Sequence, residues 1–349
     1  MINERFRSFV HGVFLALIIG WVLHIGQDIF IPIIFSVLVG FVIIGMTRML
    51  AKVPVLGPRL SIQVRYIVAA LIMAVGLVSV VWLLFANVGR AVALAPQYQD
   101  SLLNSIQSLA VTLGLESEPS WKSLRQQFLA QVSIQRLVGG TLGSVLSIVA
   151  TLIVVFLYVA FLLVEQRSFA AKIKNISDDP GQVAFIRQMI TNVNGKIGTY
   201  LALKTLLSVV LGILSWAIMA FFGMEFAVFW GVLIALLNYV PYIGSFLSVF
   251  LPAVFAILQF GNLNSVLAVM VPLSIVQFAN GNFLDPYLMG NSLNLSPFVI
   301  LVSLTVWSAL WGIPGAFLAV PMTAVMVMIF AEFPGTRPFA VLLSRKGDV

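Results

Sequence analysis

Gly244-Ser-Phe-Leu-Ser-Val249 and Gly315-Ala-Phe-Leu-Ala-Val320 decide how the second half of this chain is read. The second stretch begins 71 positions after the first, and each is followed by an Ala-Val pair, Ala253-Val254 and Ala324-Val325. Both lie just after a break in an apolar tract, Pro241-Tyr-Ile-Gly244 in one and Trp311-Gly-Ile-Pro-Gly315 in the other. In a membrane chain, corresponding apolar segments interrupted by Gly and Pro point to the binding region of a transporter.

Working outward, the composition places the whole chain in a bilayer. Hydrophobic residues make up 61% of it and charged residues 9%, with a mean hydropathy of +1.09. So few charges cannot cover the surface of a water-soluble protein of this length. The net charge of +7 comes from residues flanking the apolar runs, with no basic patch interleaved with aromatics, so nucleic-acid binding is not indicated. Without cysteine, disulfide and thiolate chemistry are excluded. The first run, Phe9 to Ile25, has no small-residue cleavage site after it and leads into a second span, which reads as a signal anchor.

These features predict an all-α polytopic membrane protein. About six full spans are expected, at Phe9–Ile25, Ile29–Met46, Val64–Ala86, Thr141–Val164, Ile197–Phe222 and Ser265–Ala279. Two broken tracts, Phe226–Leu258 and Pro297–Phe330, bring the apolar segments to eight. The expected organisation is a three-helix segment at 1–86, an extracytoplasmic amphipathic insertion at 87–139 and a transmembrane helix at 140–164. A cytoplasmic helical linker at 165–196, a transport core at 197–335 and a cytoplasmic tail at 336–349 complete it. Arg5, Arg7, Arg48, Lys52, Arg59, Arg65, Arg167, Lys172, Lys174, Arg187, Lys196, Arg337, Arg345 and Lys346 mark one face, while the turns at Gln27-Asp28 and Gly223–Glu225 have no basic residue. Both termini are therefore expected in the cytoplasm. In the insertion, Leu102, Leu103, Ile106, Leu109 and Leu113 recur at helical spacing, with a turn expected at Gly114–Ser120. In the linker, a helix to Asn175 and a turn at Asp178-Asp-Pro-Gly181 are expected before the next helix.

The half of the first tract before its break, Phe226–Val240, would be about 22 Å long as a helix at ~1.5 Å per residue, short of a ~30 Å hydrocarbon core. Two half-length helices joined at the break suit a re-entrant hairpin whose tip points inward, because non-helical backbone at membrane depth needs protein or a water-filled cavity to satisfy it. With one span between them, two such hairpins would insert from opposite faces and bring their tips to the bilayer midplane, the arrangement for alternating access. Ordinary pairs of short or tilted spans are the alternative.

Around these breaks, Leu236-Leu-Asn-Tyr-Val-Pro-Tyr-Ile-Gly-Ser245, Asp285-Pro-Tyr-Leu-Met-Gly-Asn-Ser-Leu-Asn-Leu-Ser-Pro297 and Trp311-Gly-Ile-Pro-Gly-Ala-Phe-Leu-Ala-Val-Pro321 resemble the autoinducer-2 exporter family of bacterial permeases. Tyr200-Leu-Ala-Leu-Lys-Thr205 resembles the branch that contains the quorum-signal exporter. The resemblance implies a multi-pass permease of the bacterial inner membrane, a homo-oligomer for which a ring of five is one form, that exports an autoinducer-2-like signal or exchanges sodium for protons. The chain departs from the family pattern at Asp285, where Glu is usual, at Tyr287 and Asn291, where Arg is frequent, and at Ser245, where Pro often follows the glycine.

Candidate substrate-binding residues are Asn238, Tyr239, Pro241, Tyr242 and Gly244 at the first break, and Trp311, Gly312, Pro314 and Gly315 at the second. An amide and two phenols offer donors, acceptors and ring faces to a small polyol, or else Asn238 caps the broken helix and the tyrosines anchor an interface. Lys204, Gln277, Asn280, Asn282 and Asp285 are candidates for a coupling or polar path, since an ionisable group at membrane depth is costly. Alternatively, Lys204 snorkels to the interface and Asp285 is a solvated turn residue. His24, near an interface with no second ligand nearby, does not suggest a metal site. No Walker loop, His-Glu-x-x-His or Gly-x-Ser-x-Gly motif is present, so neither an enzyme nor a cofactor is expected and transport must run on gradients. The partners expected are a small solute and the lipid bilayer. A non-transporting scaffold that uses the outer insertion as its binding surface is the reading from another class.

Overall fold

The computed structural model describes residues 2–54, 59–112, 134–289 and 293–347. Among these residues the chain is helical, with no strand beyond one bridged pair, Leu295 with Ser344. The helices are α1 (Ile2–Ile25), α2 (Gln27–Ala51), α3 (Ile62–Thr112), α4 (Ile134–Lys174), α5 (Pro180–Phe221), α6 (Ala227–Leu237), α7 (Ile243–Phe260) and α8 (Leu263–Ala279). A π-helical turn at Asn280–Leu284 leads into α9 (Asp285–Met289), followed by α10 (Pro297–Glu332) and α11 (Arg337–Leu343). Among the described residues, six stretches are long and apolar enough to cross a membrane: Gln27–Ala51, Ile62–Asn87, Pro180–Phe221, Ile243–Phe260, Leu263–Met289 and Pro297–Glu332. Val10–Ile25, Val149–Glu165 and Ala227–Leu237 are shorter apolar helices.

The helices outrun the apolar segments. α3 continues past Ala86 to Thr112, and α4 begins at Ile134 and ends at Lys174. An amphipathic sequence that follows an apolar span in the same helical phase gives the backbone no reason to stop where hydrocarbon does. The turn expected at Gly114–Ser120 lies outside the described residues, as does Asn291. Between α4 and α5 the chain does turn. The Asp179 carboxylate accepts from Gly181 N at 2.8 Å while Pro180 opens α5, an acidic cap followed by the proline a first helical position favours.

Contacts divide the chain into two compact units, one of Met1–Ala70, Thr151–Ala202 and Asn291–Val349, the other of Leu71–Ala150 and Leu203–Gly290. In the first unit, Gly45 of α2 meets Gly198 and Ala202 of α5 so closely that a Cβ on Gly45 would overlap the Gly198 carbonyl. In the second, Gly212 of α5 faces Gly231 of α6, each glycine's Cβ position lying within 2.8 Å of the other's carbonyl oxygen. Lipid offers no hydrophobic drive for helix association, so small residues that allow close backbone contact supply it instead. The apolar core of the second unit gathers Leu211, Met219, Met224, Ala227, Ile234, Val269 and Leu273, with Trp230 and Phe255 packed against it.

Both broken tracts fold back as antiparallel helical hairpins. In the first, Phe226 and Trp230 of the α6 arm meet Phe255 of α7. Gln259 closes its open end, accepting from Glu225 N at 2.7 Å and donating to the Gly223 carbonyl at 2.9 Å. In the second, α10 breaks at Gly312 (φ 61°, ψ −137°), and the Ser303 hydroxyl donates to the Ala319 carbonyl at 2.9 Å across the arms. The repeated glycines have the same task. A Cβ on Gly244 would overlap the Leu237 carbonyl, and one on Gly315 the Trp307 carbonyl. The first arm of each hairpin is short: α6 has 11 residues, about 16 Å of helix.

Glycine-to-alanine exchange should separate these contacts from ordinary helix glycines. Gly45→Ala, Gly244→Ala and Gly315→Ala should each lose about 1–3 kcal/mol by overpacking, whereas Gly40→Ala, whose Cβ meets nothing within 4 Å, should be neutral or gain slightly. Thermal midpoints from fluorescence-detected size exclusion in detergent would measure the difference. Equal midpoints for all four would show that the close approaches are not needed.

Candidate functional site

α5 carries Lys204 and Ser208 one turn apart on a face that continues through Leu211 and Ser215, and all four are buried. α6 ends at Asn238, whose N–H still bonds the Ile234 carbonyl. The chain then reverses at Tyr242, where φ 60° and ψ −62° with Ile243 N donating to the Pro241 carbonyl at 2.6 Å make a γ-turn of the rare, strained kind. α8 buries Val266, Val269, Leu273 and Gln277 along one face. The π turn adds a residue to the next coil: Asp285 N bonds the Asn280 carbonyl five residues back. That extra residue keeps Asp285 on the face of buried Asn280, and π turns often mark such functional adjustments.

These elements converge on one polar cluster within the Leu203–Gly290 unit. Lys204 Nζ donates to Asp285 Oδ2 at 2.8 Å and to Asn238 Oδ1 at 3.4 Å. Asn280 Nδ2 donates to the same Asn238 oxygen at 3.3 Å, and Asn238 Nδ2 donates to Ser208 Oγ at 3.0 Å. Beside them, the Thr205 and Tyr239 hydroxyls share a 2.6 Å hydrogen bond. The lysine side chain is 9% exposed and the aspartate 24%, so both charges have lost most of their water. Removing one partner of a buried pair typically costs about 3–5 kcal/mol, while replacing both by apolar groups can be neutral. Asp285 Oδ1 and Gln277 Nε2 are buried and have no hydrogen-bond partner among the described residues. The cluster thus offers a carboxylate, an ammonium, amides and hydroxyls to a small polar solute or ion.

Of the residues the sequence singles out, Asn238, Tyr239, Lys204, Asn280 and Asp285 are brought together. Gln277 lies on the same face of α8 one turn earlier, with its amide nitrogen unengaged among the described residues. Asn282 does not join, because its exposed amide bonds back to the Phe278 carbonyl at 3.0 Å. Pro241, Tyr242 and Gly244 build the turn rather than the cluster: Tyr242 is 53% exposed and Gly244 is pressed on the Leu237 carbonyl. Ser208 and Thr205 were missed. Lys204 plus one helical turn is the signal that would have found Ser208.

The second break belongs to the other unit, and between Pro297 and Ala331 it has no ionisable side chain. Its arms are tied by a chain of donors. Trp307 Nε1 donates to Thr323 Oγ1 at 3.2 Å, Thr323 and Ser303 share a 2.5 Å bond, and Ser303 donates to Ala319 O. Trp311 is buried and Gly312 exposed, while Pro314 and Gly315 start the second arm. The Trp311 indole bonds the Leu23 carbonyl at 2.8 Å. This tip is therefore fastened to the last turn of α1. Among the described residues no group of three potential metal ligands occurs.

The chain is similar in sequence to several known proteins. A protein of Borreliella burgdorferi named "Putative transport protein" is 36% identical over 202 residues, which cover 58% of this chain and 56% of that protein. The AI-2 transport protein TqsA of Escherichia coli K12 is 29% identical over 299 residues, covering 83% of this chain and 86% of TqsA. The "Putative transport protein YhhT" of the same strain is 28% identical over 283 residues, 79% of this chain and 78% of that one. The family model described as AI-2E family transporter matches residues 12–335. With its membrane-length helices and the broken tracts inside that match, the chain belongs to the AI-2E transporter family.

Proposed function

We propose that this transporter carries a small polar solute across the bacterial inner membrane, and that the polar cluster around Asn238 is the part of the path that touches it. The supporting observation is the buried Lys204–Asp285 pair joined to Asn238 and Asn280 in helices long and apolar enough to cross a membrane or next to one that is. Ionisable residues in such helices are expensive and usually serve a substrate or ion pathway. Mixed donors and acceptors suit a compact polyol, and an autoinducer-2-like signal leaving the cell is the solute class that the TqsA name suggests. In this reading the breaks at Tyr242 and Gly312 serve as hinges for alternating access. We extend the reading to a homo-oligomer, which would bury part of the apolar surface that one chain exposes.

A second reading, ion-coupled exchange, is favoured by one observation. Asp285 Oδ1 is buried without a partner among the described residues, and a desolvated carboxylate oxygen calls for a proton or a small cation. Here Lys204 would hold the aspartate until the ion displaces it.

The double variant Lys204→Met/Asp285→Leu separates stability from transport. It should insert and keep its thermal midpoint within a few degrees, because both charges leave together, while flux falls at least tenfold. Retained flux would make the pair structural. Asn238→Ala, which strands Lys204, Asn280 and Ser208 at once, should cost about 1–3 kcal/mol and also depress flux. The solute itself would come from comparing metabolites inside and outside cells that lack or overproduce the protein, and no difference in any small polar compound would sink the permease reading. For the ion-coupled reading, vesicles loaded with a pH-sensitive dye should respond to a sodium pulse, and Asp285→Asn should abolish the response.

A further inference from the structure

Two hydrogen bonds cross between the last turn of α1 and the tip of the second hairpin. Trp311 Nε1 donates to the Leu23 carbonyl at 2.8 Å, and His24 Nδ1 stands 3.0 Å from the Leu310 carbonyl. A carbonyl can only accept, so His24 carries a proton on Nδ1. Each bond reaches a carbonyl that a chain break has freed. Leu23 is among the last four residues of α1, whose carbonyls have no intrahelical donor. The i+4 partner of Leu310 would be Pro314, which has no N–H, and Gly312 interrupts the helix between them.

We propose that this crossed pair is a latch that holds the second hairpin's tip against the α1–α2 turn, with His24 and Trp311 as positioning residues for passage of the solute. The tip then faces the side of the membrane opposite the termini. The turn it is fastened to, at Gln27-Asp28, has no basic residue, whereas Arg7 near the start of α1 and Arg48 and Lys52 at the end of α2 mark the other side. Beyond the latch the tip is open, Ile313 being 76% exposed. Opening requires both bonds to break together, because each side chain is held by the other segment's backbone. The proposal takes from the permease reading only what the latch is for. The latch and its side can be tested with no solute at all, so either idea can fail alone.

The chain has no cysteine, so Ile313→Cys supplies a single thiol in the full-length protein. In intact cells a membrane-impermeant maleimide should label it, and should do so about fivefold faster when His24→Ala or Trp311→Phe removes one hydrogen bond. His24→Asn should restore the slow rate, because its amide nitrogen stands where Nδ1 stood. Trp311→Phe keeps the ring and loses the donor, so it decides the matter alone if His24→Ala fails to reach the membrane. Equal rates across these backgrounds would overturn the latch, and labelling only after permeabilisation would overturn its side.

Discussion

A helix that stops among apolar neighbours must find new partners for the carbonyls and amides it leaves behind, and this demand shapes both broken tracts. Wherever packing or lipid keeps water away, each unsatisfied group would cost several kcal/mol, on the order of the protein's net stability. At the first break the backbone answers locally, with Val240 N on the Leu237 carbonyl and a γ-turn through Tyr242. At the second, side chains from elsewhere answer, with His24 reaching the Leu310 carbonyl. The glycines of the repeat let the returning arm lie directly on the first arm's last carbonyls.

The same demand explains why polarity collects where it does. Asn238 ends α6, and its side chain joins the lysine of α5 to the amide at the end of α8. One residue therefore terminates a helix and organises a charge pair. If any member were removed singly, the others would be left buried with unmet hydrogen bonds, which is why such networks behave as a unit. The second hairpin meets its needs without charge, through the indole and hydroxyl chain from Trp307 to Ser303. Two similar folds are thus held by different chemistry, one beside a charge pair and the other by neutral donors alone.

Much of this was legible in the sequence, for identifiable reasons. Gly, Pro and apolar run length fix where a membrane helix can break, so Pro241–Gly244 and Trp311–Gly315 could be found by eye. Lys204, Asn238 and Asp285 stood out because polar side chains are rare in such company. The second tip's attachment was not legible. Nothing in Trp311-Gly-Ile-Pro-Gly315 says that the tip is bound to the end of α1, because that depends on His24 and Leu23, nearly 290 positions away. Asn280 continues the buried spacing of Val266, Val269, Leu273 and Gln277, while Asn282 lies two residues on and faces outward. The π turn that returns Asp285 to the buried face leaves no such trace in the apolar periodicity.

That extra-wide coil gives the segment after Asn280 an uncommon kind of constraint. Five steps of chain bring the carboxylate round to the ammonium, and a step more or fewer would swing it roughly 100° about the axis, toward lipid. Spacing, then, matters there more than chemistry. Gly281, Asn282, Phe283 and Leu284 are all exposed and none is hydrogen-bonded to the charge pair, while an insertion or deletion among them would uncouple the charges without touching either one.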